Sequence, residues 1–212
     1  VWLKRTFSAL IDRSDAVVTA GDVLSLMEKT AESEPTAAGS AMRKALLVVG
    51  SPKTGPSTSR ELGSYVMRAL EANGWRTETM VIRNSVFDAE KRDSFRASVE
   101  NADLVVLAFP LYIDALPALV IRALEFIRNH RGGKPYGRPQ RFFAIANNGF
   151  AESYQNAPAL AMCRRFALES GMEWAGCLAM GAGEALCAGQ SLTSGTRSGP
   201  PVDRVLRALD RT

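Results

Sequence analysis

Histidine and cysteine, two common carriers of acid–base and nucleophilic catalysis, are scarce: 212 residues carry one histidine, His130, and three cysteines, Cys163, Cys177 and Cys187. The cysteines are scattered without C-x-x-C spacing, which excludes a tight iron–sulfur cluster and leaves no metal-binding motif. Cys163 falls in a helical pattern and Cys177 in a strand pattern, where a buried thiol acts as a small hydrophobe. No apolar run approaches the ~20 residues of a membrane span, so no membrane partner is expected. Unpaired cysteines and the lack of an export signal point to the cytoplasm. Nor is there a large excess of one charge, the net value being +4. Local basicity gathers in Arg128, His130, Arg131, Lys134, Arg138 and Arg141, but no aromatic stacking pattern accompanies it. That cluster reads as a solvated loop and not as a nucleic-acid surface.

What is present begins at residues 45–59, where the apolar run Ala-Leu-Leu-Val-Val breaks at Gly50 into a loop rich in glycine, proline and hydroxyls. A buried strand, a glycine-containing loop and a following helix N-terminus together make a phosphate-binding turn. The hydroxyls of Ser51, Thr54, Ser57, Thr58 and Ser59 are candidate donors. Gly50, Gly55 and Ser57 approach the spacing of the triphosphate loop G-x-x-x-x-G-K-[ST], but Pro56 stands where the lysine must be. Pro56 also removes an N–H, so triphosphate hydrolysis is not expected. The dinucleotide fingerprint G-x-G-x-x-G is absent as well. A terminal monophosphate suits the loop; an ordinary strand-to-helix turn with polar filler is the alternative.

The same unit recurs along the chain. Strand candidates lie at 45–49, 78–82, 104–109, 142–146 and 175–180, with helical patterns in most gaps, which implies a parallel sheet covered on both faces. Leu62, Tyr65, Val66, Ala69 and Leu70 form the stripe of the first helix, with Thr58 and Glu61 as its capping box and Gly74 at its stop. Leu116, Leu119, Val120, Ala123, Leu124 and Ile127 form the stripe of the third, with Pro117 in its first turn. A ligand on such a sheet lies beyond the carboxyl ends of the strands. Candidate functional loops are therefore Gly50–Ser59, Pro110–Leu116, Asn147–Glu152 and Gly181–Glu184.

Together with the phosphate loop, Phe-Pro-Leu-Tyr-Ile-Asp-Ala-Leu-Pro at 109–117, Asn-Asn-Gly-Phe at 147–150 and Gly-Ala-Gly-Glu at 181–184 resemble the flavodoxin-like NAD(P)H-dependent oxidoreductases. This branch includes NADPH-dependent FMN reductases and quinone reductases. The resemblance spans about Met42 to Leu186. It implies an α/β three-layer sandwich with a five-stranded parallel sheet, order 2-1-3-4-5, and FMN as cofactor. By that resemblance Ser51, Lys53, Ser57, Thr58 and Ser59 hold the FMN phosphate. Pro110, Leu111, Tyr112 and Ile113 line the isoalloxazine, and Asn147, Asn148, Gly149 and Phe150 meet it from the fourth-strand loop.

The implied activity is hydride transfer from NADPH or NADH to the flavin and on to a quinone, flavin or similar small-molecule acceptor. No protein nucleophile is then required. Tyr112 reads as a wall or proton donor, or else as an aromatic capping the sheet edge; Glu152 and Glu184 read as turn or cap residues. His130 is expected on the surface, in a loop at the opposite end of the sheet. The resemblance also implies a homodimer. A flavodoxin-type electron carrier and a non-catalytic interaction module are the other classes. Residues 1–41 read as an appended segment ahead of an FMN-binding domain at 42–212, with a short final helix at Val202–Leu209.

Overall fold

A computed structural model describes residues 42–83, 88–132 and 137–183. The chain runs β1 (Lys44–Val49), α1 (Thr58–Ala72), β2 (Arg76–Val81), α2 (Ala89–Asn101), β3 (Leu104–Pro110), α3 (Ala118–Arg131), β4 (Arg141–Asn147), a 3-10 turn (Ser153–Asn156), α4 (Ala157–Glu169) and β5 (Glu173–Met180). All five strands pair in parallel in the order β2-β1-β3-β4-β5, as expected. The segments 1–41 and 184–212, with Glu184, Cys187 and Val202–Leu209, lie outside the described residues.

The continuous apolar runs become the central strands because both of their faces are covered. On one face Leu46, Val48, Val105, Leu107 and Phe142 pack with α2, α3 and α4 through Phe95, Val120, Leu124, Ile127 and Phe166. On the other, Leu47, Val49, Val106, Phe143 and Ile145 pack with α1 through Leu62, Met67 and Leu70. Edge strand β2 begins two residues before the expected span, since its alternating polar residues carry no continuous apolar signal.

Helix α1 departs from its expected cap and stripe. Ser57 is the N-cap, its hydroxyl accepting from the Arg60 N–H at 3.3 Å, because the Thr58 hydroxyl is engaged elsewhere. Met67 is buried in place of Tyr65 and Val66, which are only half-buried, and Gly63 presses on the Leu47 side chain. Gly74 does end the helix region, at φ +78°. In α3 the stripe is as read from Leu119, half-buried, to Ile127, but the helix begins at Ala118, so Pro117 is its N-cap and buried Leu116 precedes it.

The basic cluster is not a solvated loop. Its described members are tied into the amino-terminal end of the sheet by partners far away in sequence. Arg131, buried at the end of α3, donates to the Ser170 carbonyl and to Gln140 Oε1. Gln140 Nε2 in turn donates to the carbonyls of Val99 and Ala102. Arg138 pairs with Asp103 and caps the carbonyls of Glu100 and Ala102. Arg128 meets Glu169 at 3.5 Å, and Arg141 meets Glu173 at 3.4 Å. His130 lies inside α3, not in a loop, and contacts Glu100 at 3.0 Å; it is remote from the carboxyl ends of the strands, as expected.

Neither described cysteine offers a reactive thiol. Burial pushes Cys163 well above its ordinary value, with neighbouring Cys177 adding to the rise. Burial also raises Cys177, against a smaller lowering by Arg164.

Gln140 joins α2, α3 and β4 while holding a buried guanidinium. Gln140→Leu is therefore expected to destabilise the fold by about 3 kcal/mol, read as a lower midpoint in urea denaturation with an unchanged slope.

Candidate flavin site at the carboxyl edge

The carboxyl ends of β3, β4 and β5 finish level, and β1 stops two residues short of β3. Val49 stands beside Ala108, and Pro110, Asn147 and Met180 stand side by side. Chain order reverses between β1 and β3, the position at which a parallel sheet opens a crevice. All four loops singled out in the sequence begin here.

The first loop leaves β1 through Gly50, whose N–H donates to the Ala108 carbonyl at 2.8 Å. A Cβ at Gly50 would fall 2.4 Å from Val120 Cγ2, so only glycine permits this close approach to α3. Ser51 is buried, and its Oγ accepts from the Lys53 N–H at 3.4 Å. Residues 52–56 are exposed, and a side chain added at Gly55 would meet nothing within 4 Å.

At the start of α1 the hydroxyls face inward. Thr58 Oγ1 donates to the Gly183 carbonyl at 3.0 Å, and Ser59 Oγ donates to Asn147 Oδ1 at 2.7 Å. A hydroxyl has one proton to give, so what Thr58 and Ser59 offer an anion is their first-turn backbone N–H, which has no acceptor within the helix. The dipole of the 15-residue α1 favours negative charge at that end.

The loops after β4 and β5 are stitched together. Asn148 N–H donates to the Met180 carbonyl, Gly183 N–H to the Asn148 carbonyl, and Ala182 N–H to the Phe150 carbonyl, at 3.0, 2.8 and 2.5 Å. Asn148 Nδ2 adds a bond to the Glu152 carbonyl; the Glu152 side chain caps nothing. Buried Asn156, which the sequence reading missed, donates to the carbonyls of Ser153 and Met180. No periodicity marks a lone buried amide. Gly149 and Phe150 stand exposed at the tip of the β4 loop.

After β3, Leu111 N–H donates to the Asn147 carbonyl at 2.7 Å. Tyr112 and Ala115 then exchange two backbone bonds of 3.0 Å, closing a tight turn with Ile113 and Asp114 at its tip. Tyr112 is 45% exposed and Phe150 59%. The edge thus presents a positive helix end on one side and aromatic side chains on the other.

The sequence matches the family described as NADPH-dependent FMN reductase over residues 43–171. The chain belongs to the NADPH-dependent FMN reductase family. It is an FMN-dependent oxidoreductase with a reduced nicotinamide as reductant, and the resemblance read from the loops holds. No curated protein matches the chain in sequence.

Solved structures share the fold at low identity. An oxidoreductase from Corynebacterium diphtheriae aligns with TM-score 0.58 and 15% identity, covering 81% of this chain and 93% of its own. An FMN-dependent NADH-azoreductase from Bacillus anthracis, solved with FMN, aligns with TM-score 0.55 and 12% identity over 80% and 95%. A putative quinone reductase from Klebsiella pneumoniae gives 0.54 and 15% over 80% and 83%.

The residues of this FMN reductase fold fit the cofactor on chemical grounds. Backbone donors at a helix N-terminus suit a phosphate monoester, and flat apolar side chains suit a tricyclic ring. The stitched loops bear on that fit. A Cβ at Gly181 would fall 2.3 Å from the Ala151 carbonyl oxygen and 2.9 Å from its carbon, forcing the β4 and β5 loops apart. Gly181→Ala should cost about 1–3 kcal/mol of stability and weaken FMN binding at least several-fold, measured by denaturation and by quenching of flavin fluorescence.

Proposed function

We propose that this FMN-dependent oxidoreductase draws on NADPH or NADH to reduce a small-molecule acceptor of the quinone or flavin type, in the cytoplasm and as a homodimer. The observation that carries the reading is the meeting, at one sheet edge, of the α1 N-terminus with the aromatic loops after β3 and β4. In this reading residues 42–212 form the FMN-binding domain.

The phosphate falls to the first loop. Ser51 and Ser57 lie at its two ends, Lys53 in its exposed middle, and the N–H groups of Thr58 and Ser59 beside Ser57. Pro110, Leu111 and Tyr112 form one wall for the ring, with Ile113 outermost; Asn147, Asn148, Gly149 and Phe150 form the other. FMN, when bound, supplies the hydride and electron transfer chemistry. The chain binds, orients and shields. Tyr112 and Phe150 exclude water with their rings. The N–H groups of Leu111, Tyr112 and Asn148 already serve carbonyls, so those of Gly149 and Phe150 at the exposed tip would face the polar edge of the ring.

Two measurements test this. Purified protein reconstituted with FMN should absorb as a flavoprotein and oxidise NADPH or NADH with a quinone as acceptor; binding without turnover would favour an electron carrier. The second uses Ser57→Asp. Aspartate caps a helix as well as serine does, so α1 and the melting temperature should hold. The added carboxylate should nevertheless weaken FMN at least tenfold by repulsion, read by fluorescence titration. Unchanged affinity would place the phosphate elsewhere.

A further inference from the structure

Among the described residues, the non-glycine positions with left-handed backbone are Ile113 at φ 48°, Asp114 at φ 56° and Ala182 at φ 51°, all in the loops of the flavin site. Two of them have local compensation. Ala182 is held by its own bond to the Phe150 carbonyl and by that of Gly183 to Asn148. Aspartate is among the residues that tolerate this region.

Ile113 has neither excuse. A β-branched side chain in the left-handed region is a true outlier, and a two-residue turn with both central residues at positive φ ordinarily takes Asn-Gly or Asp-Gly. The strain also secures no packing within the chain, because Ile113 is 99% exposed. Its backbone turn is nonetheless closed by the paired bonds between Tyr112 and Ala115, and it is rooted by the bond from Leu111 to Asn147. A strained, fully solvated aliphatic group on a fixed turn beside a binding edge is set up to meet something that arrives from solvent.

We propose that Ile113 is a specificity-determining contact for the electron acceptor, and that it favours a flat apolar acceptor over one that makes no apolar contact. This rests on the flavin reading above. The chemistry of the outer rim gives the class. Ile113 and the exposed rings of Tyr112 and Phe150 are apolar, while the carboxylates on the two loops are Asp114, next to Ile113, and Glu152, two residues beyond Phe150; both are exposed. Such an apolar rim gains from covering a planar apolar molecule.

The test is Ile113→Asn, since asparagine accepts the left-handed backbone without the chain entropy of glycine. Melting of the FMN-free protein should rise by about 1–4 °C as strain is released. With both proteins saturated with FMN, the ratio of kcat/KM for the quinone menadione to kcat/KM for ferricyanide, which needs no apolar contact, should fall by about threefold or more in the variant. Wild-type protein should show the higher kcat/KM for menadione. A lower melting temperature in the variant, or equal losses for both acceptors, overturns the role of Ile113. Failure of the wild-type protein to bind FMN overturns the flavin reading itself.

Discussion

Two hydroxyl protons at the start of α1 hold the functional edge together. Thr58 gives its proton to the Gly183 carbonyl, 125 positions on, and Ser59 gives its proton to Asn147, 88 positions on. Both pairs are buried, so removing one partner would strand the other without water to replace it. The helix N-terminus is thereby fixed against the loops after β4 and β5. The positive end of its dipole is then held at a fixed place beside those loops. Gly50 completes the arrangement, since its lack of a side chain lets the first loop lie directly against β3 and α3.

Much of the layered core was legible because it depends on local chemistry alone. The apolar runs of β1, β3 and β4 are continuous since both faces are covered, and the α3 stripe survives from Leu119 to Ile127 because one face of that helix meets the sheet. Strand order needed the family resemblance, since no local pattern states which strand follows which in space. The basic cluster was misread for the same reason. Arg138 finds Asp103, and Arg131 finds Gln140 and Ser170, across the fold, and nothing in the spacing of arginines announces the acceptors.

At the site, position was readable and role was not. Each loop was located by the strand that precedes it, which is a rule of parallel sheets. Whether a serine or threonine turns toward a ligand or into the protein depends on an acceptor brought by another part of the chain. Thus the hydroxyl-rich stretch suggested a phosphate cradle of side chains, while the structure directs the Thr58 and Ser59 hydroxyls inward, to Gly183 and Asn147. The left-handed turn at Ile113 was invisible because Ile-Asp carries no turn signature of that kind.

Strain gathers at this edge for a physical reason. A residue in an unfavourable backbone region costs of order 1–3 kcal/mol, and an isolated loop would relax to avoid it. Here the Tyr112–Ala115 turn springs from a strand buried up to Phe109 and is braced through Leu111 to the neighbouring strand end. Relaxing the turn would require breaking those bonds, each backed by packed core. The sheet interior is therefore what keeps Ile113 in water and Ala182 left-handed, and the rigidity of the apolar layers shows itself as shape in the loops they end in. Geometry at this edge is set from beneath, by the level finish of β3, β4 and β5 and the earlier stop of β1, more than by the loops themselves.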